Sequence, residues 1–151
     1  MKRIAQSLIA LAALAAASTG SAASFNVTEP WVKPARTGGM TEAYMQLASP
    51  EGTTIVSATS PVAASIALMT GKSRQSAPYS LVLPPKRTIT LAENGTRFAL
   101  MNVERPLNLG DRVPITLVLR HADGSSQEIP IDAEVRRHSP SYDHGIGRHS
   151  H

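Results

Sequence analysis

The sequence contains no cysteine among its 151 residues, and its only aromatic residues are three tyrosines, two phenylalanines and one tryptophan. Without cysteine the chain can form no disulfide, no thiolate metal site and no cysteine nucleophile. The aromatic residues are scattered, and no run of lysine or arginine is longer than two. Because nucleic acids are held by basic grooves and by rows of stacking rings, we expect no nucleic-acid partner.

Common enzyme motifs are also missing. The sequence has no G-x-S-x-G, no H-E-x-x-H and no phosphate-binding loop, and no pair of carboxylates stands at a suggestive spacing. We therefore predict that the protein is not an enzyme.

The first residues predict export. Lys2 and Arg3 precede an apolar stretch at 4–17, and small residues follow at 18–23. This order is typical of a secretory signal peptide, which we expect to cover residues 1–23 and to be cleaved after Ala22 or Ala23. The stretch is shorter than the roughly 20 residues that span a bilayer. We predict a periplasmic mature protein with no membrane span, whose net charge falls from +4 to 13 − 11 = +2 without Lys2 and Arg3.

The rest of the chain is typical of one all-β domain over residues 24–135. Short apolar runs alternate with turn residues, no helical period persists after residue 24, and eleven prolines disfavour long helices. The predicted strands are 25–32, 41–48, 54–60, 64–69, 79–83, 87–91, 96–103, 113–120 and 127–135. The predicted core residues are Trp31, Val32, Tyr44, Leu47, Ile55, Val62, Ile66, Leu68, Leu83, Ile89, Phe98, Leu100, Val113, Ile115, Leu117 and Ile129.

Residues 136–151 differ in composition from the domain that precedes them, and this difference predicts a flexible, disordered tail. Four of the five histidines lie there: His138, His144, His149 and His151. Imidazole nitrogen suits Cu(II), Zn and Ni, so a histidine-rich tract is typical of metal binding. The alternative is a solvated tail whose histidines have no role. The fifth histidine, His121, is expected in an exposed turn.

Four methionines remain after the predicted leader: Met40, Met45, Met69 and Met101. Thioether sulfur is a soft ligand that selects Cu(I), although a single methionine more commonly fills a core. The alternation of each strand predicts that Met69 and Met101 point away from the core. Met45 is expected inside the core, and Met40 in a loop after two glycines.

Several stretches resemble the PCu(A)C family of bacterial periplasmic copper chaperones. They are EPWVKPAR at 29–36, AYMQL at 43–47, SATSPVA at 57–63, LPP at 83–85 and RPLNLGDRVPITL at 105–117. The resemblance implies a cupredoxin-like Greek-key β-sandwich. It also implies transport of Cu(I) towards a cuproprotein such as cytochrome oxidase or another periplasmic copper carrier.

The resemblance also assigns ligand positions, and this sequence departs from them. Met69 stands where the family has a His or Met, but the following loop is short and contains no methionine. Arg97 and Ala99 stand where the family has His-x-Met. The sequence therefore predicts a divergent member that lacks most family ligands. Arg97 repels a metal cation unless a carboxylate neutralises it.

Two functions follow from these observations. The first is a copper-binding protein, acting as chaperone, buffer or tolerance factor, whose copper, as Cu(I) or Cu(II), is held mainly by the tail histidines and Met69. Met40 and Met101 are possible additional ligands. The second is a metal-free periplasmic module that binds a protein partner on the same scaffold.

Overall fold

The computed structural model describes residues 25–140, which form ten β-strands. The strands are β1 (Asn26–Val32), β2 (Thr41–Ala48), β3 (Thr53–Thr59), β4 (Ala63–Thr70), β5 (Ser73–Gln75), β6 (Leu81–Leu83), β7 (Thr88–Thr90), β8 (Thr96–Val103), β9 (Arg112–Arg120) and β10 (Ser126–Val135). Within this part of the chain, no helix has the length and hydropathy of a membrane span. The predicted signal peptide and residues 141–151 of the predicted tail lie outside the described residues.

The strands form one continuous ladder in the order β5-β4-β8-β2-β1-β10-β9-β3-β6, and β7 pairs with β2. Strands β1 and β10 pair in parallel, whereas their neighbours in the ladder are antiparallel. Strands β3 and β4 lie near opposite ends of the ladder yet also contact each other. The sheet is therefore curled, and its concave side encloses the core.

The core is built from the inward-facing residues of these strands. On β9 the inward residues Val113, Ile115, Leu117 and Leu119 are at most 1% exposed, while the residues between them are more exposed. This two-residue period is what a strand covered on one face requires. The prediction of an all-β domain is confirmed, and the predicted strands agree with the observed bounds to within two residues.

Two predicted core residues are buried on the other face of the sheet. Trp31 and Tyr44 are 6% and 2% exposed, but they do not belong to the main core cluster. They are cross-strand partners on β1 and β2, and their ring centroids lie 4.8 Å apart. A register shift in β1 just before Trp31 accompanies this arrangement. Both residues are buried, but against each other on the outer face. Their predicted burial is confirmed, although they pack outside the main cluster.

The sequence also missed a strand and overestimated the burial of two residues. Strand β5 is short, polar and fully exposed, and it forms because a turn at Gly71 (φ 63°) folds it back along β4. It carries no apolar alternation that would reveal it. Ile89 and Ile129 are only partly buried against the core.

We expect Leu117→Ala to lower the free energy of unfolding by about 3 kcal/mol, because it leaves a cavity in a close-packed region. Leu117 is fully buried on β9. Urea denaturation would measure the effect, with Val82→Ala as the control. Val82 is 61% exposed, so its truncation should change stability by less than about 0.5 kcal/mol. Equal effects of the two substitutions would contradict the assignment of the core.

Candidate functional site

Strands β4 and β8 carry the residues that the family resemblance singled out. Met69 on β4 lies directly opposite Arg97 on β8 in the antiparallel ladder. Phe98 and Leu100 are fully buried on the core side of β8. Because successive side chains point to opposite faces, the side chains of Met69 and Arg97 share the outer face, as the alternation predicts.

The Arg97 guanidinium is held by three elements of the chain. Its Nε donates to Oε2 of Glu42 on β2 at 2.8 Å, and its Nη1 donates to the carbonyl oxygens of Gly71 at 3.0 Å and Gly95 at 2.7 Å. Its side chain is 13% exposed, and that of Glu42 is 20% exposed. The carboxylate therefore neutralises the cation that stands beside Met69, which was the alternative left open by the sequence.

The Glu42 carboxylate is the centre of this outer-face network. Its Oε1 accepts a hydrogen bond from the Tyr44 hydroxyl, two residues along the same strand. Burial alone would raise the pKa of Glu42. The hydrogen bonds from Tyr44 and Arg97, with the charges of Arg97 and Lys33, outweigh burial and lower this pKa below its ordinary value. Burial, and then the bond to Glu42, raise the pKa of Tyr44 far above the usual tyrosine value. Glu42 therefore stays charged and Tyr44 neutral at physiological pH.

A second ion pair lies beside the first. The ammonium group of Lys33 is 3.0 Å from a carboxylate oxygen of Glu93 and 5.7 Å from the centroid of the Tyr44 ring. The charge of Lys33 also acts on Glu42, so the two ion pairs are linked around Tyr44. Among residues 25–140, no group of three His, Asp or Glu side chains is arranged to hold a metal ion.

The other candidate methionines lie apart from Met69. Met45 is 2% exposed in the core, as predicted. Met101 lies opposite Ser65, which is four residues from Met69 along β4. At about 3.4 Å per residue the Cα atoms of Met69 and Met101 are about 14 Å apart. One metal ion therefore cannot bind both sulfurs while the strands keep this register. Met40 is 50% exposed and immediately precedes β2.

Of the tail histidines, His138 lies within the described residues. Together with Ser139 and Pro140 it helps to line a cleft of about 440 Å³. Residues of β1 and β2, including Trp31 and Tyr44, line the same cleft. The first tail residues therefore return to the outer face. His144, His149 and His151 lie outside the described residues, so their proposed role stays a prediction.

His121 is half-buried rather than exposed, so that expectation was wrong. Its Nδ1 is 3.0 Å from Oγ1 of Thr53, and its Nε2 is 2.9 Å from Oε1 of Gln127. Both ring nitrogens are engaged within the fold, which gives this histidine a structural role at the start of the β9–β10 turn.

The sequence does not identify Glu42 as the partner of Arg97. The two residues are 55 positions apart, and their contact depends on the pairing of β2 with β8. The available signal was the outward position of Glu42 between the buried residues Thr41 and Ala43 of a predicted strand. That position predicts a carboxylate on the outer face but does not show which cation it pairs with.

A family model described as "Putative lipoprotein LpqE-like" matches residues 25–132. The chain belongs to the LpqE-like family. A curated relative, "Putative lipoprotein Lxx21020" of Leifsonia xyli subsp. xyli, is 33% identical over 113 residues, which cover 70% of this chain. The matched part spans 66% of that relative, just under two thirds of its length.

Solved structures share the LpqE-like fold of this chain. The solution structure of Cu(I)-bound DR1885 from Deinococcus radiodurans is 31% identical, with a TM-score of 0.54 over 74% of this chain and 78% of that protein. The copper-bound PCuAC domain of PmoF2 is 22% identical and superposes with a TM-score of 0.60 over 74% and 92% of the two chains. The fold is therefore the cupredoxin-like fold of PCuAC domains, as predicted. Two of the similar structures were solved with copper bound, which supports the resemblance to the PCu(A)C family.

We expect the Glu42 carboxylate to stabilise the protein in a pH-dependent way. Since its pKa is lowered on folding, its contribution is complete above the ordinary value of 4.5 and is lost as the pH falls through the folded-state pKa. Glu42→Gln should lower the free energy of unfolding by about 1–2 kcal/mol near neutral pH, because it leaves Arg97 without its charged partner. The deficit should shrink below about pH 4.5.

Urea denaturation of both proteins across this pH range would measure the deficit. The exposed Glu128→Gln is the matched control and should track the wild type. A deficit that stays constant down to strongly acidic pH would contradict the ionic role of Glu42.

Proposed function

We propose that this LpqE-like protein binds copper in the bacterial cell envelope and acts in copper transfer, buffering or tolerance. The observation that carries the proposal is the likeness, at 31% identity, to a protein solved with Cu(I) bound. Met69 stands at the end of β4, where the resemblance assigns a copper ligand. The lipoprotein names of the family and of its curated relative support a location outside the cytoplasm, in keeping with the predicted periplasmic export.

The proposal includes a weakened family site on the outer face. At the two positions where the resemblance implies His-x-Met, Arg97 offers no lone pair and Ala99 offers only a methyl group. Arg97 also brings a permanent charge next to Met69, and its pairing with Glu42 removes only part of the repulsion felt by Cu(I). Met69 alone therefore holds Cu(I) weakly.

The tail histidines supply most of the metal ligands in this proposal. Four imidazoles within residues 138–151 offer nitrogen ligands suited to Cu(II) and, with Met69, to Cu(I). His138 lines the cleft beside Tyr44, and Tyr44 and Glu42 link that cleft to Arg97. This geometry supports a site to which tail and outer face both contribute. Such a site would exchange its metal readily, as a carrier requires.

We expect deletion of residues 141–151, combined with His138→Gln, to weaken Cu(II) binding at least about tenfold, because the combined change removes all four tail histidines. Mutation of a residue that only supports a metal ligand already weakens metal binding about tenfold or more, and loss of the ligands themselves weakens it further. Isothermal titration of the mature, untagged protein would measure this change. Cu(I) would be competed against a chromophoric chelator in parallel. His121→Gln is the matched control, since His121 is engaged within the fold.

Copper binding that survives the deletion unchanged would contradict the role of the tail and direct attention to Met69. Absence of copper binding by the full-length protein would contradict the proposal as a whole. It would favour the second function, a metal-free module whose outer face binds a protein partner.

We expect Arg97→His to tighten Cu(I) binding about tenfold or more, since it removes a cation and adds an imidazole opposite Met69. Arg97→Gln removes the same charge without adding a copper ligand, so it separates repulsion from ligation. Chelator competition would compare the two variants with the wild type. Equal affinities of the two variants would mean that Met69 does not take part in a site at this position.

A further inference from the structure

The two methionines that lie apart from Met69 are brought together at the other end of β8. Strands β2 and β8 are antiparallel, with Thr41 opposite Leu100 and Glu42 opposite Ala99. The Cα atoms of opposite residues such as Thr41 and Leu100 are about 4.5–5.5 Å apart. Met40 and Met101 are each one residue farther on, so this pairing brings them near each other at the end of the ladder.

The backbone beyond Met40 stays bonded to β8, although the pairing is irregular there, with positive φ at Gly38 and Asn102. The Gly38 amide donates to the Val103 carbonyl oxygen at 2.7 Å, and the Val103 amide donates to the Gly39 carbonyl oxygen at 3.0 Å. Met40 thus lies between two places where its segment is bonded to β8. Met40 lies outside β2, in the predicted loop, and this loop is tied to β8 on both sides of Met40.

Both methionine side chains lie on the outer face of the sheet. The inward residues Thr41 and Leu100 are buried, whereas Met40 is 50% exposed and Met101 is partly exposed. Three rotatable bonds let each thioether adjust its position. Two neutral, soft sulfur atoms can therefore approach one another at the surface without disturbing the core.

We propose that Met40 and Met101 together form a second binding site, selective for a soft monovalent cation such as Cu(I). Thioether sulfur prefers Cu(I) over harder divalent ions, and two sulfurs satisfy the low coordination numbers that Cu(I) accepts. The site is separate from the one proposed at Met69 and the tail, and its existence does not depend on them.

The charge environment favours this pair over Met69. Arg97 is directly opposite Met69 but lies four residues from Met101 along β8, a distance of about 13 Å. Coulomb repulsion weakens with distance, and Glu42 is paired with the same guanidinium. The cation that repels copper from Met69 therefore has a smaller effect at Met40 and Met101.

The test is titration of the full-length mature protein, labelled at its methionine methyl groups, with Cu(I) under reducing conditions. Work at about pH 5 protonates histidine, whose ordinary pKa is about 6.5, and leaves thioethers unchanged. The Met40 and Met101 methyl signals should shift together with one midpoint, while the buried Met45 signal stays in place. Zn(II) should leave both outer signals unshifted.

Met101→Leu, a nearly isosteric change, should weaken the Cu(I) response of Met40 about tenfold or more. Met40→Leu should do the same to Met101, and Met69→Leu is the matched control that should affect neither. The proposal would be overturned by different midpoints for Met40 and Met101. It would also be overturned if Met101→Leu left the Met40 response unchanged, or if neither methionine responded to Cu(I). A repeat titration near neutral pH follows the histidine ring signals, which report on the tail site. The methionine and histidine signals therefore show separately whether each of the two sites binds copper.

Discussion

Burial of the inward-facing residues of β8 fixes how this strand pairs with both of its neighbours. Phe98 and Leu100 are fully buried, and a shift of one residue would turn them towards solvent. The loss of burial for two such side chains would cost several kcal/mol, about 1.5–3 kcal/mol for each. The core therefore determines which side chains face each other on the outer face, including pairs that contribute little to stability themselves.

The outer face of the sheet pairs Arg97 with a carboxylate from a neighbouring strand. The register that sets Met69 opposite Arg97 also brings Glu42 within hydrogen-bond distance of the guanidinium. A buried or half-buried arginine needs such a partner, since an unpaired charge there would be costly. Glu42 and Tyr44 provide it at the place where the family resemblance implies metal ligands. The charged side chains Arg97 and Glu42 of this face are thus paired with each other.

The same register separates the methionines into two groups. On sequence alone, Met40 and Met101 are possible additional ligands beside Met69, because alternation puts Met69 and Met101 on one face. Alternation specifies a face but not a position along it. Strand pairing leaves Met69 about 14 Å from Met101 and brings Met101 beside the residue that precedes β2. Sequence reasoning could not reach this result, because it depends on which residues of β2, β4 and β8 are opposite one another.

The sequence by itself determined the all-β class, most strand positions and the inward residues of β8 and β9. Each of these follows from local properties, namely apolar alternation, turn residues and short motifs. The tertiary structure decided the partner of Arg97, the contact of Trp31 with Tyr44 outside the main core cluster and the structural role of His121. These contacts join residues that are distant in the chain. Local sequence patterns do not encode the strand register that brings them together.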